Sequence, residues 1–95
     1  MNRIVWTEPA VSDLDSIHAY ISRDTTVYAD VVISEIFDSV DRLARFPQSG
    51  RVVPEMDDVC TREVIVGNYR VIYDTTGESI RILSVIHGAR QFPKP

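Results

Sequence analysis

Four arginines, Arg62, Arg70, Arg81 and Arg90, fall within or at the ends of one stretch, residues 62–90, REVIVGNYRVIYDTTGESIRILSVIHGAR. A guanidinium stays charged at physiological pH and presents a rigid fork of donors that fits carboxylate and phosphate oxygens. Sheets do not need arginine to be stable, so a sheet face carrying several is either solvated or built to meet anions. His87 lies in the same stretch, and an imidazole of unperturbed pKa ~6.5 gains or loses a proton near neutrality. Each residue also has a plain structural reading. Arg70 can pair with Asp74 or Glu63 across the sheet, and Arg62 and Arg81 can be solvated or meet an acidic partner. His87, next to Gly88, can simply be a hydrogen-bonding residue at a strand end. No His/Cys/Asp cluster has metal-ligand spacing, so neither a metal nor another cofactor is expected.

These residues must be held by elements legible in the pattern. Residues 62–90 read as a three-stranded meander, with strands near 60–66, 69–74 and 80–87. Gly67-Asn68 between two apolar runs is a two-residue hairpin signal, since both residues tolerate positive φ. Strict alternation puts Arg70, Ile72 and Asp74 on one face of the middle strand and Tyr69, Val71 and Tyr73 on the other. On the last strand it groups Arg81, Leu83, Val85 and His87 opposite Ile80, Ile82, Ser84 and Ile86. Upstream, Arg3-Ile4-Val5-Trp6 reads as a first strand. Thr7 or Glu8 caps a helix with Pro9 in its first turn. Ala10, Leu14, Ile17 and Ile21, with Val11 beside them, form its apolar stripe, and it ends near Asp24. Thr25 or Thr26 caps a second helix whose stripe is Ala29, Ile33, Ile36, Val40 and Leu43, flanked by Val32, Phe37 and Ala44. Phe46-Pro47 ends it, and residues 47–58 read as loop. The order β-α-α-β-β-β implies an α+β fold: a mostly antiparallel twisted sheet with a helical hairpin on one face.

The composition bounds what such a fold does. The 95 residues make one domain spanning 1–95, 44% hydrophobic and 25% charged, as in ordinary soluble proteins. A net charge of −4 and a pI near 5.0 argue against a general nucleic-acid binder. The charge is uneven. Five arginines and eleven carboxylates leave residues 1–58 at −6, whereas residues 59–95 stand at +2. No apolar run approaches the ~20 residues of a membrane span. The N-terminus lacks a signal-peptide layout, and the single Cys60 has no disulfide partner, so a cytoplasmic protein with no membrane association is expected.

Several short pieces in fixed order carry a resemblance. They are Ala10-x-x-x-Leu14-x-x-Ile17-x-x-Tyr20-Ile21, Leu43-x-x-Phe46-Pro47-x-x-Gly50-Arg51, Pro54-Glu55, Arg62-Glu63, Tyr69-Arg70-Val71-Ile72-Tyr73 and Val85-Ile86-His87-x-x-Arg90. Over nearly its full length the chain resembles the RelE/ParE superfamily, the toxins of bacterial type II toxin–antitoxin modules. The resemblance implies a growth-inhibiting toxin, a setting such as plasmid stabilisation, and a cognate antitoxin that wraps it in a hetero-oligomer. RelE-like members cleave mRNA in the ribosome; ParE-like members inhibit DNA gyrase without hydrolysis. The RelE-like pattern places chemistry on Arg70 and Arg90, and His87 matches a histidine used near the end of the last strand in related toxins. The C-terminal tyrosine of many RelE-like toxins and their flanking lysines have no counterpart; Lys94 is the only lysine.

On the nuclease reading, a base takes the proton of the ribose 2′-hydroxyl, cations steady the phosphate, and an acid protonates the leaving oxygen. Arg70 and Arg90 would hold the phosphate, with Arg62 a further cation. His87 would move a proton, and Glu55 or Glu63 would be the base. On the alternative reading the chain is a non-enzymatic gyrase inhibitor, or a weakened toxin whose main activity is antitoxin binding. The ribosome, as a polyanion, favours cationic partners, and this acidic chain is a poor match for it. An exposed sheet edge and an apolar groove beside the helical hairpin would receive the antitoxin.

Overall fold

A computed structural model describes residues 2–89. Its elements are β1 (Arg3–Trp6), α1 (Glu8–Ser22), α2 (Thr26–Leu43), β2 (Arg51–Val52), β3 (Thr61–Val66), β4 (Tyr69–Asp74) and β5 (Ser79–His87). They form an α+β fold whose five-stranded sheet runs β1-β5-β4-β3-β2, with β1 parallel to β5 and the other pairs antiparallel. Thr7 caps α1 through its side-chain oxygen, and Thr25 caps α2 in the same way. The two helices pack on one face of the sheet. There Ala10 and Leu14 of α1 and Val32, Ile36, Val40 and Leu43 of α2 meet Val66, Val71, Tyr73, Ile80, Ile82 and Val85 in a single buried cluster. Gly67 holds φ of 58° in the β3–β4 turn, the left-handed value that glycine adopts without strain. No helix among the described residues is long and apolar enough to cross a membrane.

Two expectations need correction. Residues 47–58 are not all loop. Arg51 and Val52 pair with Glu63 and Arg62 as a two-residue edge strand, too short for any alternation to announce. Nor does strict alternation hold along β5. Ile72 of β4 faces Ser84 while Tyr73 faces Ile82, which leaves Leu83 as an extra residue in a β-bulge. The bulge resets the parity, so that Ile80, Ile82 and Val85 all enter the helix-side core. Helix α1 and its cap supply the polar partners there. The Thr7 hydroxyl donates to the Ile82 carbonyl at 2.6 Å, and one oxygen of Asp13 accepts from the Val85 N–H and the Ser84 hydroxyl, each at 2.9 Å. Asp13→Ala strips the acceptor from a part-buried N–H and is expected to lower unfolding free energy by about 1–3 kcal/mol, read from urea denaturation.

Tyr73 ties the connection after α2 to the sheet. Its buried hydroxyl donates to the Pro47 carbonyl at 2.8 Å and accepts from the Gly50 N–H at 3.0 Å. Burial raises the Tyr73 pKa above its ordinary 10.0, with the Gly50 N–H and Arg62 pulling the other way. A phenol with a raised folded-state pKa contributes stability that is fully present below pH ~10 and is lost as pH climbs above it. A Cβ at Gly50 would sit 2.6 Å from that hydroxyl and collide with the Glu63 carbonyl oxygen. The backbone on one side and a doubly bonded hydroxyl on the other cannot give way, so Gly50→Ala is expected to destabilise by about 1–3 kcal/mol, seen as a lower Tm.

Candidate functional site

The sheet face away from the helices is built around Arg70. Val71 and Tyr73 point into the helix-side core, so Arg70 and Ile72 between and before them point the opposite way. On β3, Glu63 lies opposite Ile72 and shares that face. The segment after β2 brings Glu55 over it. Arg70 donates from Nη1 and Nη2 to the two oxygens of Glu55 at 2.8 and 2.7 Å, and from Nε to Oε1 of Glu63 at 2.7 Å. The other oxygen of Glu63 accepts from Nε of Arg51 at 2.5 Å. The result is an alternating row, Glu55–Arg70–Glu63–Arg51, with no net charge. Arg70 is 5% exposed and Glu63 1%, so the centre of the row is out of water. The Glu55 hydrogen bonds raise the Arg70 pKa well above its ordinary value; burial opposes this, and Glu63 adds to it. The plain structural reading of Arg70, a pair with Glu63 across the sheet, is therefore what the fold contains, with Glu55 as a second carboxylate.

The other residues of the nuclease reading fall elsewhere. Tyr69 and Arg70 are neighbours on β4 and so lie on opposite faces, and His87 sits directly across from Tyr69. His87 is thus separated from Arg70 by the sheet. Its ring meets Tyr69 edge-on at 5.9 Å, and its Nδ1 accepts from the Ala89 N–H at 3.3 Å. It lines a groove of about 440 Å³ with Asp13, Ser16, Ile17, Tyr20 and Tyr69. Burial raises the Tyr69 pKa, and neighbouring Tyr28 and Tyr20 raise it further. Arg62, opposite Tyr73, shares the Val64 and Val66 side of β3 and donates to the Gly50 carbonyl at 2.9 Å. Its Nε is buried without a partner among the described residues. Arg81 is exposed, 3.8 Å from Asp74. Arg90 lies outside the described residues. Arg70, Glu55 and Glu63 are brought together; Arg62 and His87 are not with them.

A second feature lies on the hairpin. Trp6, Val11, Leu14, Ile33 and Phe37 line an open apolar groove of about 400 Å³, with Asp15 and His18 at its edge. Trp6 and Phe37 meet edge-on at 5.1 Å. His18 links the helices: Nε2 is 2.8 Å from Asp30 of α2, and Nδ1 is 3.3 Å from the Ser22 hydroxyl. Val11 and Phe37 flank the core stripes in sequence, yet they are 44% and 41% exposed. The legible signal was width. An apolar arc broader than one neighbour can cover leaves its margin bare.

The sequence and the fold have counterparts. Residues 4–92 match the family model described as the ParE toxin of the type II toxin–antitoxin system parDE. The Y4kP protein of Sinorhizobium fredii, which carries a toxin name, is 36% identical over 94 residues, spanning 97% of this chain and 94% of that protein. Toxin RelE2 of Caulobacter vibrioides is 30% identical over 91 residues, spanning 95% of this chain and 99% of its own. In three dimensions the fold matches a chain from the chromosomal ParDE system of P. aeruginosa, with a TM-score of 0.75 at 22% identity over 92% of this chain and 96% of that one. It also matches a chain of the RelBE2 toxin–antitoxin complex of Mycobacterium tuberculosis, with a TM-score of 0.60 at 23% identity over 90% and 96%. These last two likenesses concern fold alone. With the family model covering nearly the whole sequence, the chain belongs to the ParE toxin family of type II toxin–antitoxin systems.

Proposed function

We propose that this toxin arrests growth by binding a protein target, as a non-enzymatic inhibitor of DNA gyrase, and that a cognate antitoxin holds it inactive. The observation that carries this reading is the state of Arg70. A phosphate clamp needs a guanidinium whose donors can reach substrate oxygens; here the fork is engaged by Glu55 and Glu63 at the buried centre of the row. His87, the proton carrier of the nuclease reading, faces the opposite side of the sheet. The family model and one fold neighbour carry ParE names, another relative and fold neighbour RelE names, so the site chemistry weighs more than the names.

The antitoxin fits the hairpin groove. An amphipathic helix would lay apolar anchors against Trp6, Leu14, Ile33 and Phe37. Asp15 at the edge and Asp30 beside His18 belong to an N-terminal half of charge −6, so the partner helix should carry lysine or arginine at its flanks. Both fold neighbours come from toxin–antitoxin systems, and one is a toxin–antitoxin complex by name. The test is brief induction in a bacterial host with mRNA 5′ ends mapped alongside a DNA-damage reporter. Intact messages with a rising reporter are expected. Translation-dependent, in-frame cuts would establish the RelE-like reading instead.

A further inference from the structure

Helix α1 is flanked by two grooves. Val11, Leu14, Asp15 and His18 line the hairpin groove. Asp13, Ser16, Ile17 and Tyr20 line the other, facing Tyr69, Val85 and His87 across a space of about 440 Å³. At about 3.6 residues per turn the two sets point to opposite flanks of the helix, so a partner helix in the hairpin groove leaves this one open. Its volume lies within the ~300–1,000 Å³ of ordinary ligand clefts. Ile17 and Val85 supply apolar surface. Tyr20 is 68% exposed, an aromatic ring that the core does not use. Tyr69 is half-buried, and the phenols of Tyr28 and Tyr20 stand close enough to act on it electrostatically. Asp13 uses one oxygen, Oδ2, to accept from the Val85 N–H and the Ser84 hydroxyl; its Oδ1 has no partner among the described residues. We propose that this groove receives an arginine side chain of the toxin's protein target.

Tyrosine rings beside an open carboxylate oxygen suit a guanidinium, which stacks on the one and donates to the other. No lysine or arginine lines the groove. At its edge Arg23 already lies over the Tyr20 ring at 5.8 Å, so that ring takes a guanidinium on a face. That target is DNA gyrase if the toxin is the inhibitor proposed above, and the assignment rests on that reading. Gyrase handles DNA, and DNA-handling surfaces are rich in arginine and lysine. This chain, at −4 overall and −6 over residues 1–58, complements such a surface. Tyrosine and arginine are also the residue types that carry most of the binding energy at protein interfaces.

The experiment has two arms and compares wild type with Asp13→Asn and Tyr20→Ala. Asp13→Asn keeps a carbonyl oxygen for Val85 and Ser84 while removing the charge. Tyr20 is exposed, so its truncation should leave Tm within a few degrees of wild type; should Asp13→Asn melt early, Tyr20→Ala carries the comparison. In the first arm a blocked arginine, N-acetyl-arginine methylamide, is titrated into isotope-labelled toxin and followed by NMR, with the neutral citrulline analogue as reference. Wild type should show saturable shifts at Ser16, Tyr20 and Tyr69 with the arginine compound alone, at a Kd on the order of 10 mM, and the variants should lose them. In the second arm each variant should need roughly ten-fold more toxin for half-inhibition of gyrase supercoiling, while its antitoxin Kd changes by less than about two-fold. The absence of an arginine-specific shift overturns the proposal, as does undiminished gyrase inhibition by the variants. An equal loss of antitoxin affinity would give the groove to the antitoxin and overturn it too. Wild type that binds the arginine compound yet leaves supercoiling intact supports the groove and overturns the gyrase reading, so the two failures are told apart.

Discussion

Arg70→Ala is expected to lower unfolding free energy by about 3–5 kcal/mol, because it breaks a buried ion pair and takes from the fully buried Glu63 one of the two guanidinium groups that hold it. For a domain of 95 residues each kcal/mol shifts Tm by roughly 4–8 °C, so Tm should fall by more than about 12 °C. Such a loss is a large part of the 5–15 kcal/mol that typically separates folded from unfolded chains. Growth inhibition by Arg70→Ala should therefore fall in step with the amount of folded protein. A growth assay by itself cannot distinguish a lost phosphate clamp from a lost fold. Arg70→Lys sharpens the comparison: it keeps the charge but cannot span Glu55 and Glu63 with one fork, and it should be intermediate in Tm. Full stability of Arg70→Ala in a melting experiment would mean that the row is not structural and that the arginine is available for chemistry.

The second large effect is at the hairpin groove. Phe37 is 41% exposed and meets Trp6 edge-on, the profile of an aromatic anchor waiting for a partner. Phe37→Glu places a carboxylate in the apolar floor and adds to an already acidic surround. Antitoxin affinity should drop by roughly 100-fold or more, in the range of a central anchor worth about 2–4 kcal/mol. The fold should survive, because Phe37 lies outside the buried cluster. Cells co-expressing antitoxin would then lose protection while the toxin stays active. Binding measured by calorimetry between the purified proteins checks this directly, and an unchanged Kd would place the antitoxin elsewhere.

The fold was legible because its signals are local. Thr7 and Thr25 cap helices, Gly67-Asn68 turns a hairpin, and the stripes of α1 and α2 have helical spacing. The failures came where a long-range contact decides. The bulge at Leu83 has no marker in its own residues. It is bonded from outside by Thr7 and Asp13, more than seventy positions away. That one slip put Val85 on the face of Ile82 and reversed the grouping drawn from strict alternation. The site was legible as an inventory and not as an arrangement. Arg70, Glu55 and Glu63 were visible as charges, and the Arg70–Glu63 pair as one option. That Glu55 would also arrive depends on how the segment after β2 folds over the sheet, which no periodicity encodes. His87 was separated from Arg70 by the parity of a single residue, Tyr69.

Inhibition by binding and not by RNA cleavage can be read directly with purified components. The toxin is titrated into a gyrase supercoiling reaction and, in parallel, into a ribosome programmed with a defined mRNA. Loss of supercoiling with the message left whole is the predicted result. Unimpaired supercoiling together with codon-spaced cuts in the ribosome-bound message would mean that the toxin is a nuclease and not a gyrase inhibitor.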